Sequence, residues 1–278
     1  MSVALLALAW VRISTLVAAA RSVFGWAGLP PLARLGLSAG LALLVWPQLS
    51  TGQQPAGLLL SAAPATGAPA AAGGQAPVAW AVWAAALAGE VAVGLAMAFG
   101  VEAIMAAAML AGQLADLPMG FSVANVVDPT LQQEVPLLGQ FYGLVAAAVL
   151  FGVNGHHEIL RVLVESLRVV PPGQLVFHPQ LVEAAVGQLG RAFVLGLRMG
   201  APVLGVLFLT DVALAVVARA VPQLNLFVVG FPVKLALGLA MVMLALPAVV
   251  SLAAAALGRG GMLWEGVAGL VWAMGARR

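Results

Sequence analysis

The chain contains no cysteine and only one lysine, and these two shortages exclude several classes of protein. Without cysteine there is no disulfide, no thiolate metal site and no cysteine nucleophile. The lysine, Lys234, is followed by Leu235, whereas a Walker A motif needs Ser or Thr there, so ATP hydrolysis through a P-loop is excluded. The net charge of +2, without any long Lys/Arg cluster, argues against a nucleic-acid surface.

Charge of either sign is scarce. Only 8% of the 278 residues are charged and 63% are hydrophobic, whereas soluble domains have about 25% and 45–50%. This composition indicates an integral membrane protein, or one buried almost wholly in a large hydrophobic assembly. The length allows roughly five to seven spans of about 20 residues each. We therefore predict an all-α, polytopic fold of kinked helices with an irregular central loop.

Proline and glycine divide the chain into about six apolar segments, followed by an amphipathic tail at 258–278. A low-complexity Ala/Pro/Gly linker covers 52–77. An amphipathic helix is expected over 156–170, where charges of alternating sign share one face as surface ion pairs or as a docking site. The apolar segments are 3–26, 32–49, 78–111, 137–153, 180–219 and 228–257.

Residues 112–135 interrupt this pattern with a polar passage that proline and glycine break. It carries Asp116, Asn125, Asp128 and Glu134. Because unsatisfied backbone groups are costly in lipid, a non-helical insert here must face protein, water or a pore.

Six ionisable residues lie in or beside the apolar segments, where each costs roughly 2.5–3.5 kcal/mol at bilayer depth. They indicate helices that pack on protein, through ion pairs between helices or subunits or as a pore lining. The alternative is that some snorkel at the interface. Arg191 and Arg198 share one helix face, and Gly196 and Gly200 have a spacing that permits close helix approach. The six residues are Glu90, Glu102, Arg191, Arg198, Asp211 and Lys234.

Two short motifs imitate catalytic sites. His157–Glu158 begins like the HExxH zinc motif, but Arg161 stands where the second histidine is needed. Gly36–Gly40 matches GxSxG, yet it lies inside an apolar segment instead of between a strand and a helix. We therefore predict no enzyme activity, no metal site and no cofactor.

Three blocks of the sequence together resemble the FliR family, the export-gate subunits of the bacterial flagellar type III secretion apparatus. They are GQLADLPMGFSVANVVDP at 112–129, the stretch 135–157 with PLLGQFY and NGHH, and RAVPQLNLFVVGFPVKLALGL at 219–239. The injectisome homologue is similar in kind, but the NGHH and PQLN sequences look flagellar.

The resemblance implies an all-helical subunit of a funnel-like gate that surrounds a channel. Residues 1–178 would be a FliP-like portion, 179–257 a FliQ-like hairpin and 258–278 the tail. The resemblance also implies that the central loop helps to close the channel, with 117–124 as a plug whose deletion should increase leakage. The residues predicted for the plug loop are Gly112, Leu117, Pro118, Met119, Gly120, Phe121, Ser122, Val123, Ala124, Asn125, Asp128 and Pro129.

The partners that the resemblance implies are FliP-type and FliQ-type subunits, larger export-apparatus membrane proteins and unfolded flagellar proteins in transit. The expected location is the bacterial inner membrane at the flagellar basal body. We expect the turn from Pro222 to Lys234 to dock on a partner. The residues predicted at subunit interfaces are Glu90, Glu102, Gln140, Phe141, Asn154, Gly155, His156, His157, Arg198, Asp211, Pro222, Gln223, Asn225, Phe231, Pro232 and Lys234.

Two other functions stay open at this point. One is an export-gate subunit of a virulence-type injectisome. The other is a stand-alone secondary transporter that uses Glu90, Glu102, Asp211 and Lys234 as ligands. Transporters usually show two related halves, and we see no such duplication here.

Overall fold

The computed structural model describes residues 2–24, 30–51, 79–121, 136–173, 179–223 and 225–275. These residues form helices and no strands, which confirms the predicted all-α class. The predicted linker 52–77 and most of the central loop, 122–135, lie outside the described residues. In chain order the helices are α1 Ser2–Ala19, α2 Arg21–Phe24, α3 Pro31–Thr51, α4 Ala79–Met119, α5 Leu137–Gly152, α6 Gly155–Val169, α7 Gln180–Ala220, α8 Leu226–Leu257 and α9 Met262–Gly275.

Fewer helices than predicted are long enough to cross a membrane. Among the described residues, three apolar helical stretches qualify by length and composition, Trp83–Met119, Gln180–Ala220 and Val228–Gly275, or four if α5 and α6 form one broken span. Within the described residues this is fewer than the five to seven spans that the length allows. The apolar parts of α1 and α3 are too short, and α5 and α6 meet at a bend of 71°.

The bend between α5 and α6 is made by one residue in the left-handed region. Asn154 has φ 58°, a conformation that asparagine tolerates better than most residues, and its N–H donates to the carbonyl of Phe151 at 3.2 Å. Asn154 thus turns the chain just after Val153, the C-cap of α5. Gly155 instead starts α6, where a Cβ would lie 2.9 Å from the carbonyl oxygen of Leu257. The role of Gly155 is therefore close packing.

Contact density divides the chain into two units, each described here separately. The first comprises 1–102, 157–186 and 264–278, and the second comprises 103–156 and 187–263. The boundaries fall inside helices α4, α6, α7 and α9 instead of at residue 179. The units therefore do not follow the predicted FliP-like and FliQ-like portions, and that division stays a prediction.

The first unit is organised around a buried arginine. Arg12 is fully buried, and its Nε donates to Glu90 Oε2 at 2.7 Å. Its Nη1 and Nη2 donate to the carbonyls of Ser166 and Val170 at 2.8 and 2.9 Å. The Ser166 carbonyl also accepts the N–H of Val170 at 2.9 Å. Val170 directly follows α6, and its own carbonyl lies beyond the hydrogen bonds of the helix. Glu90 Oε1 in turn accepts the N–H of Gly173 at 2.8 Å. This Arg12 cluster thus joins α1, α4 and the end of α6.

The serine of the GxSxG motif has a structural role in the same unit. Trp10 Nε1 donates to Ser38 Oγ at 3.1 Å, and Ser38 Oγ donates to the carbonyl of Leu35 at 2.9 Å. Both partners belong to helices of the first unit, α1 and α3, which pack on each other. The Ser38 hydroxyl is therefore engaged in hydrogen bonds where α1 packs on α3.

The second unit is built on close contact between α4 and α7. A Cβ added at Gly196 would lie 2.6 Å from the carbonyl oxygen of Ala107, and one at Gly200 would lie 3.2 Å from that of Ala111. The Gly196–Gly200 pair is therefore used within the chain, as its spacing permits. Ala103, Ala107 and Ala192 form a buried cluster in this contact.

This contact predicts opposite effects for two glycines of α7. Gly205→Ala should stabilise the chain by up to about 1 kcal/mol, because alanine favours helix over glycine and nothing lies within 4 Å of the added Cβ. Gly196→Ala should destabilise it by roughly 1–3 kcal/mol, because its Cβ would overlap the α4 backbone. Thermal unfolding of both variants in detergent tests the difference. Equal shifts would show that α4 and α7 are not in backbone contact at Gly196.

Candidate functional site

The helix that leads into the central loop ends in a left-handed glycine. Gly120 has φ 85°. Its N–H donates to the carbonyl of Leu117 at 3.1 Å, and the N–H of Phe121 donates to that of Asp116 at 3.2 Å. These two bonds are those of a Schellman motif, in which glycine is preferred because it has no Cβ. Gly120 is therefore where α4 ends and the chain changes direction.

Asp116 holds the two ends of the central loop together. Its carboxylate oxygens accept the N–H groups of Leu138 and Gly139 at 3.1 and 3.2 Å, and the side chain is buried. These groups lie in the first turn of α5, whose N-cap, Pro136, makes no side-chain cap bond. A carboxylate at a helix N-terminus also interacts favourably with the helix dipole. Asp116 thus ends α4 through its carbonyl and caps α5 through its side chain.

The central loop begins later than predicted. Residues 112–119 are the last turns of α4 and not part of the irregular passage. Gly112 provides no bend, because a Cβ there would overlap the backbone of Leu138 and Gly139. Its small size lets α4 and α5 approach closely. Pro118 lies inside the last turn of the helix.

The hairpin of α7 and α8 packs against this loop base. A Cβ on Gly120 would lie 2.7 Å from Phe231 Cε2, and one on Gly238 would lie 2.7 Å from the side chain of Met119. Near these contacts an ion pair between Asp211 and Lys234 joins α7 to α8. A cavity of about 470 Å³ lies between the hairpin and the end of α4, lined by this ion pair and by the segment from Leu117 to Gly120.

The predicted plug residues divide into three groups. Met119 is buried against α8 at the loop base. Leu117 is 71% exposed, and Pro118, Gly120 and Phe121 are partly exposed. Six lie outside the described residues, namely Ser122, Val123, Ala124, Asn125, Asp128 and Pro129.

Four charged residues predicted at subunit interfaces have partners within the chain. Glu90 is bound by Arg12, and Glu102 accepts from the N–H and hydroxyl of Ser22 at 2.7 and 2.8 Å. Asp211 and Lys234 bind each other across the hairpin. The sequence left open whether these charges contact other helices of the same chain, other subunits, a pore or the membrane interface. For these four residues the structure shows contacts between helices of the same chain. Their role toward other subunits stays a prediction.

Most of the other predicted interface residues lie on the surface. Gly155 is buried and His156 is partly buried, with its ring 5.3 Å from that of Phe151. The exposed residues are Gln140, Phe141, Asn154, His157, Arg198, Pro222, Gln223, Asn225, Phe231 and Pro232.

Sequence reasoning missed two residues that hold the architecture together. Arg12 was recognisable only as a charge in an apolar helix, and its partners lie up to 158 residues away. Asp116 was recognisable as a polar residue before the loop, and Pro136 offered a further signal, since it begins a helix without a capping side chain. A polar residue at Asp116 and an uncapped helix start at Pro136 could together have suggested that α4 supplies the N-terminal cap of α5.

The arrangement suits a mechanical role. Asp116 joins the end of α4 to the start of α5, and this base lies against a hairpin with a cavity beside it. Among the described residues no group of three His, Cys, Asp or Glu side chains is placed to hold a metal ion. The charged groups at this site are engaged in a helix cap and an ion pair.

Comparison with known proteins gives a consistent result. The model of a family described as bacterial export proteins, family 1, matches residues 3–260. The chain is 40% identical over 125 residues to flagellar biosynthetic protein FliR of Bacillus subtilis (strain 168), covering 44% of this chain and 48% of that protein. It is 28% identical over 128 residues to the protein of the same name from Escherichia coli (strain K12), covering 46% and 49%.

A relative from a different system also matches. The secretion system apparatus protein SsaT of Salmonella typhimurium is 27% identical over 129 residues, covering 46% of this chain and 50% of that protein. The chain spans about half the length of the curated relatives it matches.

Proposed function

Because the chain belongs to the family of bacterial export proteins, family 1, we propose that it is a subunit of the flagellar type III protein export gate. In this proposal it has no enzymatic activity and helps to form and close the channel through which unfolded flagellar proteins leave the cell. The names of its relatives support the flagellar assignment. The resemblance found in the three sequence blocks and the family match agree.

The observation that supports this function best is the double anchoring of the central loop by Asp116. A closing element must have a fixed base and a part that moves. The Schellman motif at Gly120 and the cap on α5 fix the base on two helices. We propose that closure depends on the part of the predicted plug that follows this base, of which Phe121 is the last described residue. Within the plug predicted at 117–124, we assign Met119 to the base, because it is packed within the unit.

The partners proposed are FliP-type and FliQ-type subunits together with larger membrane proteins of the export apparatus, in the inner membrane at the flagellar basal body. The exposed turn at Pro222, Gln223 and Asn225 supports the predicted docking of this region. Lys234 is bound to Asp211. Lys234→Glu would therefore break an internal ion pair as well as any contact with a partner, so Gln223 is the better position for testing docking.

Deleting the gene in its source bacterium should abolish swimming and the appearance of hook and filament proteins outside the cell. An intact copy should restore both, because a gate subunit acts before any substrate is exported. Secretion of a non-flagellar protein by the general pathway serves as the control. Normal flagella in the deletion strain, in the absence of a second copy, would refute the flagellar assignment.

The similarity to SsaT favours a second candidate, an export-gate subunit of an injectisome. The same deletion distinguishes the two systems. Loss of injected proteins from the culture medium with normal swimming would support the second candidate. The stand-alone transporter has less support, since Glu90, Glu102, Asp211 and Lys234 are all bound within the chain.

A further inference from the structure

One face of α8 touches the end of α4 at two points. A Cβ on Gly120 would lie 2.7 and 2.8 Å from Cε2 and Cδ2 of Phe231, and a Cβ on Gly238 would lie 2.7–2.9 Å from side-chain atoms of Met119. Phe231 and Gly238 are two helical turns, or about 10.5 Å, apart along α8, so they lie on one face. We call these four residues, Met119, Gly120, Phe231 and Gly238, the α8 clamp.

Contacts with α7 fix the register of the clamp. Lys234 lies on the clamp face between the two contact points, and it forms the ion pair with Asp211 of α7. One residue before the clamp, Gly230 is buried, and a Cβ there would lie 3.2 Å from Leu214 Cδ1 of α7. The position of α8 at the end of α4 is therefore set by the α7–α8 hairpin.

The ring of Phe231 is not part of a closely packed core. It is 40% exposed, and it borders the cavity of about 470 Å³, whereas a cavity of about 150 Å³ is enough to take up benzene. Its contact with Gly120 is therefore not imposed by packing on all sides of the ring. Truncating Phe231 should weaken this contact and leave the helices of the unit folded.

The clamp and Asp116 hold the end of α4 from two different helices. Asp116 joins it to the first turn of α5 through two hydrogen bonds, and the clamp joins it to α8 through apolar contacts. With one attachment the end of α4 could still turn about that point. Two attachments on separate helices prevent such a rotation and so fix the direction in which the chain leaves α4 at Gly120.

We propose that Phe231 is a positioning residue for closure of the channel, because its ring on Gly120 holds the base of the central loop in the closed position. This inference rests on the proposed function, since it assumes that the loop closes a channel. It adds α8, a helix far along the chain from the loop, to the closing machinery, and it names the side chain through which α8 acts.

The first test measures ion conductance across the membrane of the source bacterium at normal protein level. Phe231→Ala should raise the conductance about tenfold, which corresponds to about 1.4 kcal/mol in the closing equilibrium. Partial burial of a phenyl ring contributes a free energy of this order. Phe231→Tyr retains the ring and should reverse the leakage. Phe99→Ala is the matched control, because Phe99 of α4 is 38% exposed and lies outside the clamp.

The second test replaces the ring by a disulfide across the other contact of the clamp. Because the chain has no cysteine, Met119→Cys with Gly238→Cys gives a single pair, at a closeness that suits a bond whose Cβ atoms lie about 3.5–4.5 Å apart. In the Phe231→Ala background, oxidation should return the conductance to the level of the unaltered chain, and dithiothreitol should raise it again. Both readings come from the same protein, so a folding defect cannot produce the difference.

Deletion of 117–124 separates failure of this inference from failure of the proposed function. If neither the deletion nor Phe231→Ala changes the conductance, the loop closes no channel and the proposed closing function is wrong. If the deletion leaks and Phe231→Ala conducts like the unaltered chain, the clamp proposal alone is overturned. Equal leakage from Phe99→Ala, or unchanged leakage after the disulfide has been verified by mass spectrometry, would also overturn it.

Discussion

Replacing Arg12 by Met is expected to lower the free energy of unfolding by about 3–5 kcal/mol, because it leaves the buried carboxylate of Glu90 without its cation. It also removes the donors to the carbonyls of Ser166 and Val170 at the end of α6. For a chain of this size the loss corresponds to a decrease in melting temperature of roughly 5–9 °C. Tryptophan fluorescence during heating in detergent measures it.

An exposed ion pair in the same unit serves as the control for Arg12. Arg168 and Glu165 of α6 lie 3.8 Å apart on the surface, and such pairs contribute about 0–1 kcal/mol. Arg168→Met should therefore change stability little. The double variant Arg12→Met with Glu90→Leu should recover part of the loss, because no charge then remains buried. A loss below about 1 kcal/mol for Arg12→Met would show that the cluster is not a main stabilising element.

The two long C-terminal helices could be predicted closely from the sequence. The predicted ranges 180–219 and 228–257 agree with the observed Gln180–Ala220 and Leu226–Leu257. Their apolar runs are long, and the intervening segment contains Pro222 and Asn225, residues that favour turns. Prolines 202, 232 and 247 inside these helices did not end them. Long apolar helices therefore tolerate proline here, as membrane helices do.

The start of the central loop was predicted wrongly for a definite physical reason. Gly112, Asp116 and Pro118 are turn-forming residues in most contexts, so together they indicated an irregular segment from 112 onwards. In the folded chain Gly112 is needed for contact with α5, and Asp116 is needed as its cap. Tertiary contacts thus gave helical roles to residues whose local preference is for turns.

The partners of the charged residues could not be predicted from spacing. Arg12 and Ser166 are separated by 154 positions, and Glu90 and Gly173 by 83. Composition indicated that such charges pack on protein, but no local pattern specifies which helices meet. The same limit applies to Asp211 and Lys234, whose pairing depends on the register of the α7–α8 hairpin.

Asp116→Ala is expected to release one end of the central loop and to weaken its closure. The change leaves the N–H groups of Leu138 and Gly139 without acceptors inside the protein. Loss of two hydrogen bonds to a charged group and of its interaction with the α5 dipole should cost about 2–4 kcal/mol. If the loop closes the channel, ion leakage across the membrane should rise while swimming falls. Membrane conductance and motility are measured together in the source bacterium.

Two matched variants separate loop anchoring from general instability. Asp116→Asn keeps one carbonyl acceptor and should show a smaller loss of stability than Asp116→Ala. Leu144→Ala changes a residue of α5 that is 65% exposed and outside the predicted plug, and it should leave stability and leakage unchanged. Increased leakage in Asp116→Ala at normal protein level would support a closing role for the loop. A destabilised Asp116→Ala protein with unchanged leakage would limit Asp116 to joining α4 and α5, because the channel would then be closed by residues that do not depend on this anchor.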